Sequence, residues 1–246
     1  MKIIPLSEGS FTIDKTKLFV PFDEENDELK SRPPGSLLVE VQPFIIVTSE
    51  DVLLLDTGLG FENGGVMQLH RNMMDAGINP GEVTKVLLSH LHKDHAGGVS
   101  TAGNSALSFP KAQYFVQKKE LEFAFEKGFP SYITEELEPL RGSEQLVLLD
   151  GNGVMDGYIK YEITGAHSPF HQVFTIVDGG ETLFFGADDA PQLYQMRHKF
   201  AAKYDYNGKL AMELRQKWWE EGEREGWTFL FYHDIKKPVF QMQNVK

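Results

Sequence analysis

The chain has 246 residues, of which 41% are hydrophobic and 24% charged, so it is long enough to bury a core and is not expected to be disordered. Acidic residues outnumber basic ones by 36 to 24, and the formal charge of −12 disfavours nucleic acid or an anionic membrane surface as a partner. The chain contains no cysteine, which excludes disulfides and thiolate metal ligands. The N-terminal apolar stretch is too short for a signal peptide and no run is long enough for a membrane span, so we expect a cytoplasmic protein.

The first half of the chain alternates predicted strands with predicted helices. Residues 21–36 are charged and include Pro33–Pro34–Gly35, which predicts an exposed loop and leaves room for a homodimer contact. Branched apolar residues identify the strands, and apolar residues at helical spacing identify the helices. The predicted strands are 37–48, 52–55, 85–89 and 114–117, and the predicted helices are 66–77 and 118–127.

The second half repeats this pattern. The predicted strands are 147–149, 158–164, 173–177, 182–185 and 228–232, and a helix is predicted over 208–221. Asp178–Gly179–Gly180–Glu181 has the composition of a hairpin turn. Strands interspersed with helices in both halves predict a layered α/β sandwich, and we expect residues 1–246 to form a single domain.

The densest group of metal-binding side chains follows the predicted strand 85–89. It reads His90–Leu91–His92–Lys93–Asp94–His95 and is followed by Ala96–Gly97–Gly98. On a tight loop, His90 and His92 can face one metal ion while Asp94 and His95 face another. Imidazole and carboxylate ligands suit zinc, and also iron or manganese.

This segment resembles the H-x-H-x-D-H signature of the metallo-β-lactamase superfamily. Further parts of the family pattern occur in the family's order: Asp56 in LLLDTGLG, His167 in TGAHSPFHQ, Asp188 in LFFGAD and His233 in FLFYHD. The resemblance implies a four-layer αββα sandwich of the metallo-β-lactamase type and a metal-dependent hydrolase.

The resemblance also implies a site for two divalent metal ions. Zinc is the metal we expect, with manganese or iron as alternatives. The implied first metal ligands are His90, His92 and His167, the implied second metal ligands are Asp94, His95 and His233, and the implied bridging ligand is Asp188. A hydroxide held by both metals would attack the substrate. Asp94 and Asp188 would be the catalytic carboxylates, with Asp94 also passing a proton to the leaving group.

Supporting roles follow from the same resemblance. Asp56 would orient a ligand histidine or its turn, His171 would pack near the site without binding metal, and Tyr194 would contact the substrate carbonyl. The chain departs from the family where Ala187 replaces the glycine before the bridging aspartate. This departure leaves Asp188 and Asp189 as alternatives for the bridge, with the strand register favouring Asp188.

The composition of the chain and its implied ligands reduce the number of superfamily branches, and so of reactions, that fit it. The absence of cysteine disfavours the commonest zinc β-lactamases, and the negative charge disfavours the tRNA-processing branch. The lactonase and esterase group remains, including acyl-homoserine lactonases and organophosphate hydrolases, so we expect a small ester, lactone or related bond as substrate. Two alternatives stay open: a persulfide dioxygenase-like oxidoreductase with one iron on His90, His167 and Asp188, and a non-catalytic metal-binding protein.

Overall fold

The computed structural model describes residues 1–101, 103 and 105–242, and places most strands of this part in two six-stranded sheets. The strands are β1 (Lys2–Pro5), β2 (Gly9–Ile13), β3 (Val20–Pro21), β4 (Leu37–Val41), β5 (Phe44–Val47), β6 (Val52–Leu55), β7 (Glu62–Asn63), β8 (Val66–Met67), β9 (Lys85–Leu87), β10 (Gln113–Gln117), β11 (Leu146–Leu149), β12 (Gly153–Met155), β13 (Ile159–Ile163), β14 (Gln172–Asp178), β15 (Glu181–Phe185), β16 (Thr228–Leu230) and β17 (Val239–Gln241).

Helices connect and cover the strands. They are α1 (Gln68–Asp75), α2 (Lys93–Ala96), α3 (Lys118–Lys127), α4 (Thr134–Leu137), α5 (Leu193–Arg197) and α6 (Gly208–Glu225), with short 3-10 turns between other elements. In α3, Glu120 lies in the first turn and Lys127 in the last, where their charges complement the helix dipole. None of the helices in the described ranges has the length and apolar character needed to cross a membrane.

Each large sheet mixes parallel and antiparallel neighbours. The first sheet has the order β1-β5-β6-β9-β10-β11 and is parallel from β6 to β11. The second has the order β12-β13-β14-β15-β16-β17, in which only β15 and β16 run parallel. Strands β3, β2 and β4 form a small third sheet, and β7 pairs with β8.

The apolar clusters place these elements in four layers. Ile46 and Leu55 of the first sheet and Phe174 and Leu230 of the second meet in one cluster between the sheets. The outer face of the first sheet packs on α1, α3 and α4, and the outer face of the second packs on α5 and α6. Both faces of each sheet are therefore covered, which explains apolar runs without alternation such as the VLLL of β6. The predicted αββα sandwich is confirmed.

Several element boundaries differ from the prediction. The segment 37–48 forms two strands in different sheets, since Pro43, which has no N–H, separates β4 from β5. Helix α1 begins at Gln68 because Val66 and Met67 pair with β7. The hairpin between β14 and β15 forms as predicted, with Asp178 opposite Glu181. The elements that were not predicted are β1, β2, β3, β7, β8, β12, β17, α2, α4 and α5; residues of α2 were expected to lie on a tight loop.

Candidate metal centre

Histidines and carboxylates from both large sheets converge at one edge of the sandwich. Each of them follows the end of a strand. His90 and His92 follow β9, His167 lies between β13 and β14, Asp188 follows β15, and His233 follows β16. Strand β9 belongs to the first sheet and the other strands belong to the second. The site therefore forms where strand ends of the two sheets meet.

The first group consists of His90, His92, His167 and Asp188, whose ligand atoms lie within 4.8 Å of one another. His92 Nδ1 is 2.9 Å from His90 Nε2 and 3.2 Å from His167 Nε2. Asp188 Oδ2 is 3.0 Å from His167 Nε2 and 4.0 Å from His90 Nε2. Three imidazole nitrogens and one carboxylate oxygen therefore face a common point.

The second group consists of Asp94, His95 and His233, again with ligand atoms within 4.8 Å. Asp94 Oδ2 is 3.7 Å from His95 Nε2 and 3.6 Å from His233 Nε2. Asp188 Oδ1 approaches the same two nitrogens at 3.0 and 2.9 Å. The two oxygens of Asp188 thus face different groups.

The opposite ring nitrogens of four histidines each contact an oxygen. His90 Nδ1 is 3.0 Å from Ser89 Oγ, and His95 Nδ1 is 2.7 Å from Asp56 Oδ2. The Nδ1 atoms of His167 and His233 contact Asp205 Oδ1 at 3.0 Å and the Glu40 carbonyl at 2.6 Å. Such partners fix the ring orientation of metal-binding histidines and point Nε2 inward.

The buried atoms at the centre fit a cation. His95 Nε2 and Asp188 Oδ1 are buried and have no hydrogen-bond partner in the described part of the chain, although they lie 3.0 Å apart. Buried polar atoms are normally hydrogen-bonded, so unpartnered buried atoms among facing imidazoles and carboxylates suggest a bound ion. The nitrogen and oxygen donors suit zinc, manganese or iron.

The pKa values of the side chains also fit a bound cation, because neutral imidazoles lie beside carboxylates that favour positive charge. Burial, together with the neighbouring imidazoles, holds the pKa values of His90 and His92 well below the usual range, so their nitrogens carry free lone pairs. Burial also disfavours charge on His95, but the carboxylates of Asp188, Asp94 and Asp56 outweigh it and raise its pKa. Although burial works against ionisation of Asp188, the imidazoles of His95, His233 and His167 keep its pKa well below the usual range.

Comparison with known protein families decides the classification. The family model of the metallo-beta-lactamase superfamily matches residues 39–217, which is most of the chain. The chain belongs to the metallo-beta-lactamase superfamily. It is a metal-dependent hydrolase of that family.

Known relatives and solved structures agree with this assignment. The chain is 26% identical over 228 residues to the N-acyl homoserine lactonase AiiA of Bacillus thuringiensis subsp. kurstaki, covering 83% of this chain and 85% of the relative. A probable metal-dependent hydrolase from Staphylococcus aureus superposes with a TM-score of 0.79 at 19% identity, covering 98% and 91% of the two chains. The dizinc quorum-quenching lactonase AidC, in complex with a product N-hexanoyl-L-homoserine, has a TM-score of 0.75 at 20% identity, covering 99% and 90%.

The two adjacent aspartates that follow β15 have different surroundings. Asp188 contacts the imidazoles of both groups, whereas Asp189 Oδ1 accepts the backbone N–H of His167 at 2.7 Å and its Oδ2 lies 3.1 Å from His171 Nδ1. Ala187 has a left-handed φ of 43° where the metallo-beta-lactamase pattern has glycine. This backbone turn directs Asp188 to the centre and Asp189 behind it.

The remaining sequence-predicted residues lie around the centre. Asp56 is fully buried and, besides His95, accepts hydrogen bonds from the backbone N–H and hydroxyl of Ser89, both at 2.7 Å. The His171 ring is 4.9 Å from that of His90 but belongs to neither group. Tyr194 is 62% exposed and stacks on His198 with ring centroids 4.0 Å apart.

Several residues of the site were not predicted from the sequence. Ser89 and Asp205 contact His90 and His167, and Tyr232 donates to the Asp94 carbonyl at 2.6 Å while stacking on His95. Fully buried Glu120 accepts the backbone N–H of Leu91. The position of Ser89 beside His90 was a usable signal, but Asp205 and Glu120 are distant in sequence from the residues they support.

A cavity of about 710 Å³ opens onto the centre. Asp94, Asp188 and His233 reach its wall from the metal centre, and Tyr194 lines it as well. Its volume is within the range of small-molecule sites. The hydrolase therefore presents its candidate metal centre to a space large enough for a small organic substrate.

Proposed function

We propose that this chain binds two divalent metal ions and hydrolyses a small ester, lactone or related bond with a water activated between them. His90, His92 and His167 would hold one ion, Asp94, His95 and His233 the other, and Asp188 would contact both. The observation that carries this proposal is the convergence of both ligand groups on the two oxygens of Asp188.

Side chains of this protein would hold the metal ions and transfer the proton during the reaction. A pair of divalent ions lowers the pKa of a shared water to near neutral and polarises the bond under attack. Asp94 lies on the cavity wall, which supports a role for its carboxylate in accepting a proton and delivering it to the leaving group. Asp56, Ser89, Asp205 and the Glu40 carbonyl would keep the imidazoles in place.

The relatives support the substrate class. AiiA and AidC are named as lactonases, and AbOPH, described as a hydrolase in the beta lactamase superfamily, also matches this structure. We propose a lactonase or esterase activity on a small molecule and favour zinc, with manganese or iron as alternatives. The single domain, the homodimer and the cytoplasmic location that we expected from the sequence stay predictions.

The decisive experiment is elemental analysis of protein purified without added metal, followed by turnover of small lactones, thioesters and a phosphotriester. We expect about two metal ions per chain and hydrolysis of at least one ester or lactone. Asp188→Asn should lose metal and activity by more than the roughly 10- to 100-fold cost of losing an outer partner of a ligand. His198→Ala, which changes an exposed histidine outside both groups, should keep its metal content.

The alternatives give different results in the same experiment. A single iron per chain with oxygen uptake on a glutathione persulfide, and no hydrolysis, would assign the chain to the oxidoreductase branch. Stoichiometric metal without turnover of any substrate would favour the non-catalytic protein. Asp188→Asn with unchanged metal content would remove the basis for the ligand assignment.

A further inference from the structure

The wall of the cavity carries lysines as well as carboxylates, although the chain as a whole is strongly acidic. Lys15, Lys17 and Lys93 line the cavity in a protein with a formal charge of −12. Lys17 lies in the turn between β2 and β3, and Lys93 begins α2 between His92 and Asp94. Lys17 and Lys93 are partly buried, so their charges are not simply part of a solvated surface.

These lysines form no ion pairs within the described ranges, where no carboxylate oxygen lies within 4.0 Å of the ammonium group of Lys17 or Lys93. By contrast, the equally partly buried Lys85 contacts Asp51 at 2.5 Å and Asp156 at 3.2 Å. Lys93 Nζ instead lies 5.7 Å from the centre of the Phe19 ring. A partly buried charge without a partner costs free energy, which an incoming anion would recover.

Among the described residues, the acidic groups around the cavity form no ion pair with Lys17 or Lys93. Asp14 accepts hydrogen bonds from the backbone N–H and hydroxyl of Thr16 at 2.8 and 2.6 Å. Asp94 and Asp188 face the imidazoles of the metal centre. Asp94 and Glu136 are both close enough to Lys93 to interact with it electrostatically, but neither forms an ion pair with it. Lys17 and Lys93 therefore line the cavity with ammonium groups that are available to an anionic group of a substrate.

The rest of the wall is largely apolar. Its apolar lining residues are Ile13, Phe19, Leu37, Leu38, Val39 and Phe200. Such a surface favours a hydrocarbon segment, while the lysines favour a negative group on the same molecule. The two features together describe an amphipathic anion.

We infer that the substrate of the proposed hydrolase carries a carboxylate in addition to the bond that is cleaved, joined to it by an apolar segment, and that Lys17 and Lys93 bind this carboxylate. The inference rests on the proposed function for the position of the cleaved bond. The binding preference itself depends only on the cavity and its lysines.

The test compares 4-nitrophenyl esters whose acyl chains have the same length but end in a methyl, a carboxylate, a phosphate or a trimethylammonium group. Because turnover would fail if the proposed function were wrong, binding of the matching uncleavable 4-nitroanilides is measured by calorimetry in parallel. The variant is Lys17→Met, which keeps the apolar stem and removes the charge. The control is Lys209→Met, which removes the same charge from an exposed position on helix α6.

We expect the carboxylate compounds to exceed the methyl compounds about tenfold in kcat/KM and in affinity, which corresponds to about 1.4 kcal/mol. Lys17→Met should reduce this ratio by most of that factor, mainly through KM, and high salt should reduce it in the wild type. Lys209→Met should leave the ratio unchanged.

Equal binding of methyl and carboxylate compounds, or a preference for trimethylammonium, would overturn the inference. So would a carboxylate preference that survives in Lys17→Met, because the anion would then be held elsewhere, for example at the metal ions. Tighter binding of the phosphate compounds than of the carboxylate compounds would also overturn the inference, because the substrate would then carry a phosphate. Carboxylate preference in the anilides without ester turnover would support the inference and count against the proposed function.

Discussion

Glu120 is an acidic residue with no exposed surface, and it supports the loop that carries two of the converging histidines. Its Oε1 accepts the backbone N–H of Leu91 at 3.0 Å and the hydroxyl of Tyr132 at 3.4 Å. Leu91 lies between His90 and His92, so Glu120 fixes the peptide units that join them. Burial raises the pKa of Glu120, although the Leu91 N–H opposes that shift.

Replacing Glu120 should therefore affect both stability and metal binding. Glu120→Ala leaves the Leu91 N–H buried without an acceptor, and we expect a loss of about 1–3 kcal/mol in the free energy of unfolding. We also expect zinc affinity to fall about 10- to 100-fold, as for other partners that orient ligands. Glu120→Gln keeps an accepting oxygen and should restore most of the zinc affinity. Urea unfolding and zinc titration measure both effects; equal zinc affinity in the alanine and glutamine variants would refute the positioning role.

Glu8 is a second buried carboxyl group near the site. Its Oε2 accepts the Leu59 N–H at 2.6 Å, while Oε1 is buried without a hydrogen-bond partner among the described residues. Burial raises its pKa from 4.5 to about 8, the Leu59 N–H opposes this, and Asp94 adds to it. The folded protein therefore binds this proton more tightly than the unfolded chain does.

The sign of the pH dependence follows from that difference. The stabilising contribution of Glu8 is complete below the unfolded pKa of 4.5 and is lost as the pH rises through about 8. We expect Glu8→Gln in metal-free protein to abolish this loss and to be more stable than the wild type at about pH 9, by a few kcal/mol at most, since one pKa unit corresponds to about 1.4 kcal/mol. Urea unfolding across this range measures it, with exposed Glu62→Gln as control. A wild type whose stability does not fall between these pH values would contradict the prediction.

Two loops that carry site residues pack backbone against backbone. Thr57, which follows Asp56, donates from its N–H to the His95 carbonyl at 2.7 Å. A Cβ at Gly98 would lie 2.1 Å from the Thr57 carbonyl oxygen, and a Cβ at Gly60 would lie 2.3 Å from the Gly97 carbonyl oxygen. The contact of Asp56 with His95 therefore depends on glycines in both loops.

Gly98→Ala should separate these loops. Because the new methyl group meets backbone, one loop must move, and we expect a loss larger than the roughly 1–2 kcal/mol that a left-handed residue costs. The control is Gly77→Ala at the end of α1, where φ is +81° but the space is open, so only the conformational cost applies. Thermal unfolding measures stability and zinc titration measures the centre. Similar losses of stability and unchanged zinc affinity in both variants would show that the loop contact is unimportant.

The candidate metal centre joins the two sheets of the sandwich. Its groups follow the ends of β9 in the first sheet and of β13, β15 and β16 in the second, with Asp188 between them. The carboxylate oxygens of Asp188 lie within 3.0 Å of imidazole nitrogens from loops that follow strands of both sheets. Metal binding should consequently stabilise the whole molecule as well as the site.

Removal of metal should lower the melting temperature. At a free metal concentration 100 times the Kd, binding contributes about 2.7 kcal/mol. For a chain of this size that corresponds to roughly 5–10 °C in Tm. Calorimetry with and without a chelator measures the shift, and the chelator should have little effect on Asp188→Asn. A wild-type Tm that does not respond to chelation would indicate that the centre holds no metal under those conditions.

The sequence by itself determined the fold class and the histidine-rich loop. Apolar runs such as that of β6 identified strands, because both faces of each sheet are buried. The spacing of His90, His92, Asp94 and His95 is local, so it could be read without knowledge of tertiary contacts. Distant members of the group, such as His233, were located only through a family pattern.

Only the tertiary structure decided how distant residues support one another. Asp188 and Asp189 are adjacent and chemically identical, so the sequence could not assign their different contacts. The turn at Ala187 and the contacts with other loops distinguish the two aspartates. Asp205 and Glu120 contact site loops 29 or more positions away in sequence. Lys17 likewise reaches the cavity from the turn between β2 and β3, far in sequence from the histidine-rich loop. Such contacts depend on how the two sheets pack, and a local pattern does not contain that information.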